Sequence, residues 1–557
     1  MLTSAPGATT LKPVTAATTG RVFALLPKGT TMQAARWIQA LVTVFFLSMT
    51  APGLAAEPLQ RPLLVTVDLD QGESQTVTLS NGRSVDIRLV EVEETRDDVR
   101  QAVRRAQATV RVNDRTVDLV ASAYHLPVTV GDVQIDCAVT RGYTGDSSKG
   151  NAWALEKDAR FRLWPAGSPW VDTDTFVYPV NQRWFATDTQ MGNVPCFVDA
   201  AETPGARNVY YHYGLDFGGP EGLVDVLSAT DGLVVSSGTA VLEGYEQSPP
   251  KPRYDVVYIR DDRGWFYRYS HLQMIATAVR PGYRVRKGER IGILGKEGGS
   301  GGWSHLHFDI TAMQPSGRYG ILNAYPLAWQ AYQAQYKPDL IAVARPHHVA
   351  WTGQEVVLDG GRSWSRTSGP LEYAWTLSDG STARGATVAR TYDTPGEYSE
   401  VLRVTDAAGH VAYDFAVVQV FDKARPDRLP PTIHAAYWPT LDIRPGRPVT
   451  FKVRSFRTTR PEEVWDFGDG SPPVTVHSDG NAKVHSLDGY AVTQHAFARP
   501  GDYVVTVHTT NQHGYTATTH LYVRVEQPWR GSGAGPALQR SPATPSPALP
   551  TGAEGGN

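Results

Sequence analysis

The sequence predicts a mainly β, multidomain protein, and three observations support this fold class. Many short segments alternate apolar and polar residues with the period of two that is typical of strands. Gly and Pro occur 52 and 39 times, so turns between such segments are frequent. The chain has 557 residues, which is too long for one core, because a domain usually holds about 100–200 residues. We therefore expect several β-rich domains in tandem.

The amino-acid composition limits the functional classes to which this protein can belong. Apolar residues make up 41% of the chain and charged residues 20%, which is typical of a soluble globular protein. The formal net charge is −3, so nothing in the charge balance favours nucleic acid or an anionic membrane as the main partner.

The N-terminal segment has the parts of a secretory signal. Arg36 precedes the charge-free run 38–49, and small residues follow before Glu57. We expect residues 1–56 to direct secretion, to the periplasm or outside the cell, with Met32 as a possible true start. No other stretch is apolar enough to cross a membrane, so the mature protein should lack an integral membrane segment.

Residues 57–175 are predicted to form a β-rich N-terminal domain of unknown role. Three runs alternate at period two: 63–69, 75–79 and 84–90. Asn81-Gly82 predicts a hairpin, and 109–120 repeats that arrangement around a second turn. Residues 97–107 could form one short, charged helix. Whether this domain positions or inhibits its neighbour stays open.

The chain has two cysteines, Cys137 and Cys196. In an exported protein a disulfide between them is plausible. Two unrelated buried thiols are the alternative, and the sequence does not decide between them.

Residues 176–335 hold the candidate catalytic region. His212 and Asp216 are four positions apart, and either a helix or a strand would keep them on one side; the aromatic context favours a strand. His305 and His307 are two apart, which in a strand places them on one face. His271 lies between these groups. A catalytic zinc takes three protein ligands and leaves one position for water, and this set of side chains can supply them.

These motifs resemble the lysostaphin-type (LytM-type) zinc endopeptidases, which cut peptidoglycan peptides. The resemblance covers about 205–312. It rests on five short motifs in order: His212-Tyr213-Gly214-Leu215-Asp216, Ala229-Thr230-Asp231-Gly232-Leu233-Val234, Tyr269-Ser270-His271-Leu272, Val285-Arg286-Lys287-Gly288-Glu289-Arg290-Ile291-Gly292 and His305-Leu306-His307-Phe308.

The resemblance implies a role for each side chain. His212, Asp216 and His307 match the ligands of Zn²⁺, and His271 and His305 match the pair of catalytic histidines that do not bind metal. Which of the two accepts a proton and which donates a hydrogen bond stays open. The sequence leaves the family pattern at two loops, 243–253 and 298–304, which we expect to rim the substrate groove.

From about residue 340 the chain contains a repeat. Trp375 is followed by Asp379-Gly380, and 464–471 contains Trp-Asp-Phe-Gly-Asp-Gly; a Pro-Gly turn follows in both units. These residues resemble PKD (polycystic kidney disease) domains, which implies immunoglobulin-like β-sandwiches at 340–422 and 431–526. Such modules act as spacers or bind surfaces, polysaccharides or proteins. Asp466 and Asp469 are explained by the turn rather than by metal binding. The tail, 527–557, is predicted to be disordered.

The sequence thus predicts a secreted zinc metalloendopeptidase whose substrate is peptidoglycan peptides. Two alternatives are a secreted zinc protease for Gly-rich proteins and a non-catalytic, lysostaphin-like protein that binds or regulates the cell wall. Proteins of the last kind typically lose ligands, whereas this chain keeps all five polar positions.

Overall fold

A computed structural model describes residues 63–122, 124–145, 150–192, 204, 209, 211–247 and 249–527. The predicted secretion signal, Cys196 and the tail from residue 528 lie outside these residues. The proposed disulfide is therefore untested, and Cys137 is buried in a strand. Within the described residues, no helix is both long and apolar enough to cross a membrane.

The N-terminal domain consists of two four-stranded antiparallel sheets. Its elements are β1 Val65–Leu69, β2 Ser74–Thr78, β3 Ser84–Arg96, β4 Val103–Val112, β5 Arg115–Val120, β6 Val128–Val130, β7 Val133–Thr140, α1 Gly142–Gly145 and β8 Ala159–Pro165. One sheet has the order β2-β3-β4-β5 and the other β1-β8-β7-β6. Their apolar faces share a core with Tyr211, whose hydroxyl accepts a hydrogen bond from the Val103 amide at 2.8 Å.

Both predicted hairpins in this domain are confirmed. β2 pairs with β3 across Asn81-Gly82, and β4 pairs with β5. The predicted helix over 97–107 is wrong, because this segment forms a turn and then enters β4. Asp97 holds that turn by accepting a hydrogen bond from the Arg100 amide at 2.6 Å, and the following β-branched and small residues alternate as a strand.

In its described residues, the central domain is an antiparallel β-structure with one helix at its C-terminal end. Its elements are β9 Leu215–Gly218, β10 Asp225–Leu227, β11 Gly232–Ser237, β12 Ala240–Val241, β13 Val257–Arg260, β14 Phe266–Ser270, β15 Leu272–Ile275, β16 Arg284–Val285, β17 Arg290–Leu294, β18 His305–Met313, β19 Tyr319–Leu322 and α2 Tyr325–Tyr336. An eight-stranded sheet follows the order β12-β11-β13-β14-β18-β19, with β9 on β18 and β16 on β11. β10, β17 and β15 form a smaller sheet.

Strand β18 organises this domain because both of its faces are covered. Leu306, Phe308 and Ile310 point into the main core and are fully buried. The alternate positions, starting at His305 and His307, face the opposite side. The period-two pattern therefore places core residues on one face of β18 and candidate site residues on the other.

The C-terminal third forms two β-sandwiches, as the PKD-like repeat predicted. The first contains β20 Leu340–Ile341, β21 His348–Trp351, β22 Glu355–Asp359, β23 Trp364–Ser365, β24 Glu372–Thr376, β25 Thr382–Arg384, β26 Thr387–Thr391, β27 Gly396–Thr405 and β28 Val411–Phe421. The second contains β29 Thr432–Trp438, β30 Val449–Phe456, β31 Glu463–Asp466, β32 Val474–Val476, β33 Ala491–His495, β34 Gly501–Thr510 and β35 Thr516–Val525. The repeated tryptophans, Trp375 and Trp465, are buried in the two cores.

The two sandwiches are joined through one continuous sheet. β27 of the first pairs in parallel with β35 of the second, and Glu397 lies opposite Ala517. The resulting nine-stranded sheet runs through both modules. The two modules are therefore joined by this strand pairing as well as by the chain segment that connects them.

Candidate metal centre

Strand register brings the predicted site residues together. Asp216 on β9 lies directly opposite His307 on β18. Ser270, the last residue of β14, lies opposite His307 from the other side, so His271 follows at the same level. His212 precedes β9 and is not part of a strand, contrary to the strand context that its aromatic neighbours suggested.

Gly214 explains why the chain leaves the strand conformation between His212 and Asp216. Its φ is +90°, a left-handed conformation that favours glycine. A Cβ atom at this position would lie 2.8 Å from the Phe308 carbonyl oxygen and 3.3 Å from Cε1 of His307. The glycine therefore lets the segment turn while it stays against β18.

Three side chains form a compact donor group. The ligand atoms of His212, Asp216 and His307 all lie within 4.8 Å of one another. His212 Nε2 is 3.0 Å from His307 Nδ1 and 3.1 Å from Asp216 Oδ2. His307 Nδ1 is 2.9 Å from Asp216 Oδ1. Two imidazoles and one carboxylate converging on one point are a donor set that fits zinc and leaves a position for water.

The outward ring nitrogens of the two histidines in this group are held by other residues. His212 Nδ1 lies 3.2 Å from the Gly192 carbonyl oxygen, which can only accept, so Nδ1 carries the proton. His307 Nε2 lies 3.2 Å from the carboxylate of Asp309, which in turn pairs with Arg268 at 3.3 Å. Such partners orient a metal-binding imidazole and fix its tautomer.

His271 and His305 form a second pair beside this group. Their ring centroids are 4.6 Å apart. His271 Nδ1 lies 2.6 Å from the Glu297 carbonyl oxygen, and His305 Nδ1 lies 3.0 Å from that of Trp303. Both rings therefore donate through Nδ1 and keep Nε2 as an acceptor; that of His305 is 3.7 Å from the Asp216 carboxylate.

His271 occupies a strained backbone position. Its φ is +69°, in the left-handed region that residues with a side chain rarely adopt. The Asp255 carboxylate accepts a hydrogen bond from the His271 amide at 2.9 Å and pairs with Arg253. Strain of this kind persists where surrounding contacts hold it, and it concentrates at functional sites. Here it separates β14 from β15 and turns the imidazole toward His305.

The electrostatics of the site follow from burial and from the neighbouring imidazoles. Burial raises the pKa of Asp216, but His212 and His305 outweigh it and hold that pKa well below its usual value. Burial lowers the pKa of His271, and it lowers that of His305 to about 3. Both of these imidazoles are therefore neutral at neutral pH and can accept a proton.

The site is enclosed. The five predicted side chains are between 3% and 7% exposed. They line a cavity of about 110 Å³ together with residues of the first sandwich, including His347, Glu397 and Gln419. A second and larger cavity, about 670 Å³, lies between α2 and the two sandwiches and contains none of these five residues.

Three possible metal ligands and two further imidazoles thus lie together on an antiparallel β-domain. The pattern of Peptidase family M23 matches residues 210–317, and PKD domain patterns match 338–420 and 435–523. The chain therefore carries a Peptidase family M23 domain of the LytM/lysostaphin type followed by two PKD domains, which confirms both resemblances.

Individual relatives match over part of the chain. The peptidoglycan DD-endopeptidase ShyA of Vibrio cholerae is 29% identical over 133 residues, which is 24% of this chain and 26% of that protein. This chain thus matches about a quarter of the length of that relative. Among solved structures, a putative glycyl-glycine endopeptidase LytM from Ruminococcus gnavus is 24% identical over 29% of this chain and 61% of its own, with a TM-score of 0.19. Lysostaphin is 15% identical over 45% and 95%, with a TM-score of 0.21.

Two acidic residues of the site were missed in the sequence. Asp309 could have been found, because it lies two positions after His307 on a predicted strand and so shares its face. Asp255 has no such signal, since it is 16 positions from His271 and sits after the proline-rich loop. The predicted rim loops do approach the site. The guanidinium of Arg253 lies within 3.3 Å of His271 Nδ1, and a Cβ on Gly298 would meet that guanidinium.

Proposed function

We propose that this chain is a secreted zinc metalloendopeptidase that hydrolyses peptide bonds in peptidoglycan cross-links or stem peptides. The observation that carries the proposal is the convergence of a metal-binding triad with two further imidazoles on one cavity. Export is supported by the signal-like segment before residue 57. The substrate class is supported by the family match and by the named activity of the Vibrio relative.

His212, Asp216 and His307 would hold Zn²⁺. When bound, zinc lowers the pKa of a coordinated water toward neutrality and polarises the scissile carbonyl. The protein keeps the ligands in place, since Asp309 and the Gly192 carbonyl fix the two imidazoles.

His271 and His305 would move protons. Each imidazole donates through Nδ1 to a backbone carbonyl, so its free Nε2 can take a proton from the attacking water or return one to the leaving amine. Once protonated, such a ring can also donate a hydrogen bond to the developing oxyanion. Both histidines have pKa values lowered by burial, which keeps them in the accepting form.

Digestion of purified peptidoglycan and of a Gly-rich protein, side by side, tests the proposal. We expect fragments from peptidoglycan with zinc present and none after a chelator has removed the metal. Mass spectrometry of the fragments from walls of known cross-link chemistry identifies the bond. Cleavage of the protein alone would favour the general protease, and a zinc-loaded enzyme that cuts neither would overturn the proposal.

A further inference from the structure

The first sandwich covers the candidate site. Its residues His347, Glu397, Val417 and Gln419 line the same cavity as the five predicted side chains. That cavity, about 110 Å³, is well below the roughly 300–1,000 Å³ of pockets that enclose a drug-sized ligand. A peptide chain does not fit into this space while the sandwich stays in place.

The second sandwich holds the loop 298–304, which leads into His305. The ring of Phe456 stacks on Trp303, with centroids 4.8 Å apart and an interplanar angle of 17°. The Tyr490 hydroxyl accepts a hydrogen bond from the Ser304 amide at 2.9 Å. The buried Arg454 donates to the Gly302 carbonyl at 3.1 Å.

The glycines of this loop allow the second sandwich to approach its backbone. Asn481 donates to the Gly301 carbonyl at 3.1 Å. Gly302 has a φ of +93°, and a Cβ there would lie 2.2 Å from Asn481 Oδ1 and 2.9 Å from a guanidinium nitrogen of Arg454. The loop departs from the family pattern at Gly298–Gly302 and Trp303, and the second sandwich contacts Gly301, Gly302 and Trp303 of this stretch.

The opposite edge of the site is held as well. Thr519 on β35 donates to the Asp188 carboxylate at 2.8 Å. Arg345, only 1% exposed, donates to the carbonyls of Thr187 and Thr189 and pairs with Asp414 at 3.3 Å. Because the sandwiches contact the central domain at both edges of the site, they lie over the site.

The contact between the sandwiches and the central domain is polar beside the site and apolar near α2. Beside the site it consists of the hydrogen bonds and buried charged groups described above, whereas Ile341 and Val343 belong to the core of the central domain and Trp364 packs against that core. Phe456 packs on Trp303 and is not part of the core of its own sandwich. Because β27 and β35 share a sheet, the two sandwiches can leave together as one body.

We propose that this closed arrangement is a latent form of the enzyme, in which residues 340–526 act as a lid over the metal centre. The lid must leave the loop 298–304 before a peptide reaches His271 and His305. This inference rests on the proposed function, because a lid regulates only a site that acts on a substrate.

The test compares full-length wild-type protein with Phe456→Ala and Tyr490→Phe. Phe456→Ala removes the ring that stacks on Trp303, and Tyr490→Phe removes only one hydroxyl. Val492→Ala is the matched control, because Val492 lies in the same sandwich but is 54% exposed. The probe is diethyl pyrocarbonate, and peptide mass mapping gives the modification rates of His271 and His305. Hydrolysis of purified peptidoglycan is measured in parallel.

We expect Phe456→Ala to raise both the modification rates and hydrolysis about tenfold, since truncated interface aromatics commonly cost that factor in affinity. Tyr490→Phe should raise them several-fold, and the control should match wild type. Faster modification without hydrolysis in any protein would support the lid and overturn the proposed activity. Hydrolysis by wild type, with equal modification rates in all four proteins, would overturn the lid. If Phe456→Ala misfolds, the comparison of Tyr490→Phe with wild type and the control still tests the lid, because Tyr490→Phe is nearly isosteric.

Discussion

At the scale of single residues, the histidines of the site differ in how closely they approach Asp216. His212 and His307 each place a ring nitrogen within 3.1 Å of its carboxylate, whereas His305 Nε2 is 3.7 Å away and His271 is held by the Glu297 carbonyl. The roles that the short motifs imply for these side chains stay predictions. They give each residue a different expected effect when it is removed.

Asp216→Ala and His271→Ala should differ in metal content. The first removes a ligand, so zinc and activity should both be lost. The second should keep zinc and lose activity by about 10²–10⁴-fold, the usual contribution of a general acid or base. Metal analysis and peptidoglycan digestion on folded protein check both. Equal zinc loss in the two variants would show that the roles are misassigned.

Asp309→Asn should weaken zinc binding without removing a ligand. The carboxylate of Asp309 lies 3.2 Å from His307 Nε2, and loss of such a partner typically lowers metal affinity about 10- to 100-fold. Zinc affinity from competition with a chelator measures the effect. Asp225→Asn is the control, because its side chain is 43% exposed and pairs with a surface arginine; the zinc affinity of this variant should equal that of wild type.

At the scale of elements, the site depends on how closely β9 and β18 approach. A local motif predicts the strands, because alternation is visible over a few residues. It does not predict that His212 falls outside β9, since this depends on Gly214 lying against Phe308, 94 positions later in the chain. The prediction of a helix over 97–107 was wrong for a similar reason. Pairing with β3 and β5 determines the conformation of β4, and charge and propensity alone do not.

Gly214→Ala should separate these strands and weaken the metal site. The new Cβ would be 2.8 Å from the Phe308 carbonyl oxygen at a φ of +90°, so we expect a loss of about 2 kcal/mol or more in stability, with reduced zinc content. Gly244→Ala is the control: its φ is +86° and nothing lies within 4 Å of a Cβ there. That variant should lose about 1 kcal/mol and keep its zinc. Thermal unfolding and metal analysis compare the stability and zinc content of the two variants. Equal losses in both would contradict this prediction.

At the scale of the whole molecule, the sequence predicted the fold class and both families correctly. The five candidate side chains could be found because each lies in a short motif. The closed arrangement could not, because its contacts join distant segments. The Asp188–Thr519 hydrogen bond spans 331 positions, and that between Tyr490 and Ser304 spans 186. No pattern in either local sequence marks such a pairing.

The lid should open more readily as the pH rises. Burial, with the nearby Asp188 carboxylate, raises the pKa of Glu397 to about 8, against an ordinary 4.5. Gln419 and the Ile433 amide donate to this carboxylate, and Arg457 partly offsets the shift. The closed form is thus favoured while Glu397 is protonated. That preference declines as the pH rises from about 4.5 to 8.

Modification of His271 by diethyl pyrocarbonate should therefore increase across this pH window beyond the increase of an exposed histidine. One pKa unit corresponds to about 1.4 kcal/mol, so the excess should exceed tenfold. Glu397→Gln should remove much of this dependence, with the remainder due to Asp188, whose pKa burial raises to about 6. A variant with the wild-type pH profile would exclude Glu397 as the responsible group.

The hydrogen bond from Thr519 to Asp188 also orders events during synthesis. Thr519 lies on β35, the last described strand, so this contact forms only after the chain has been made through residue 519. Domains generally fold as units from the N-terminus. The five candidate site residues all precede α2, so they are made before either sandwich exists. The candidate site of a newly made chain would thus stay accessible until the second sandwich has folded, and that step would complete the closed arrangement.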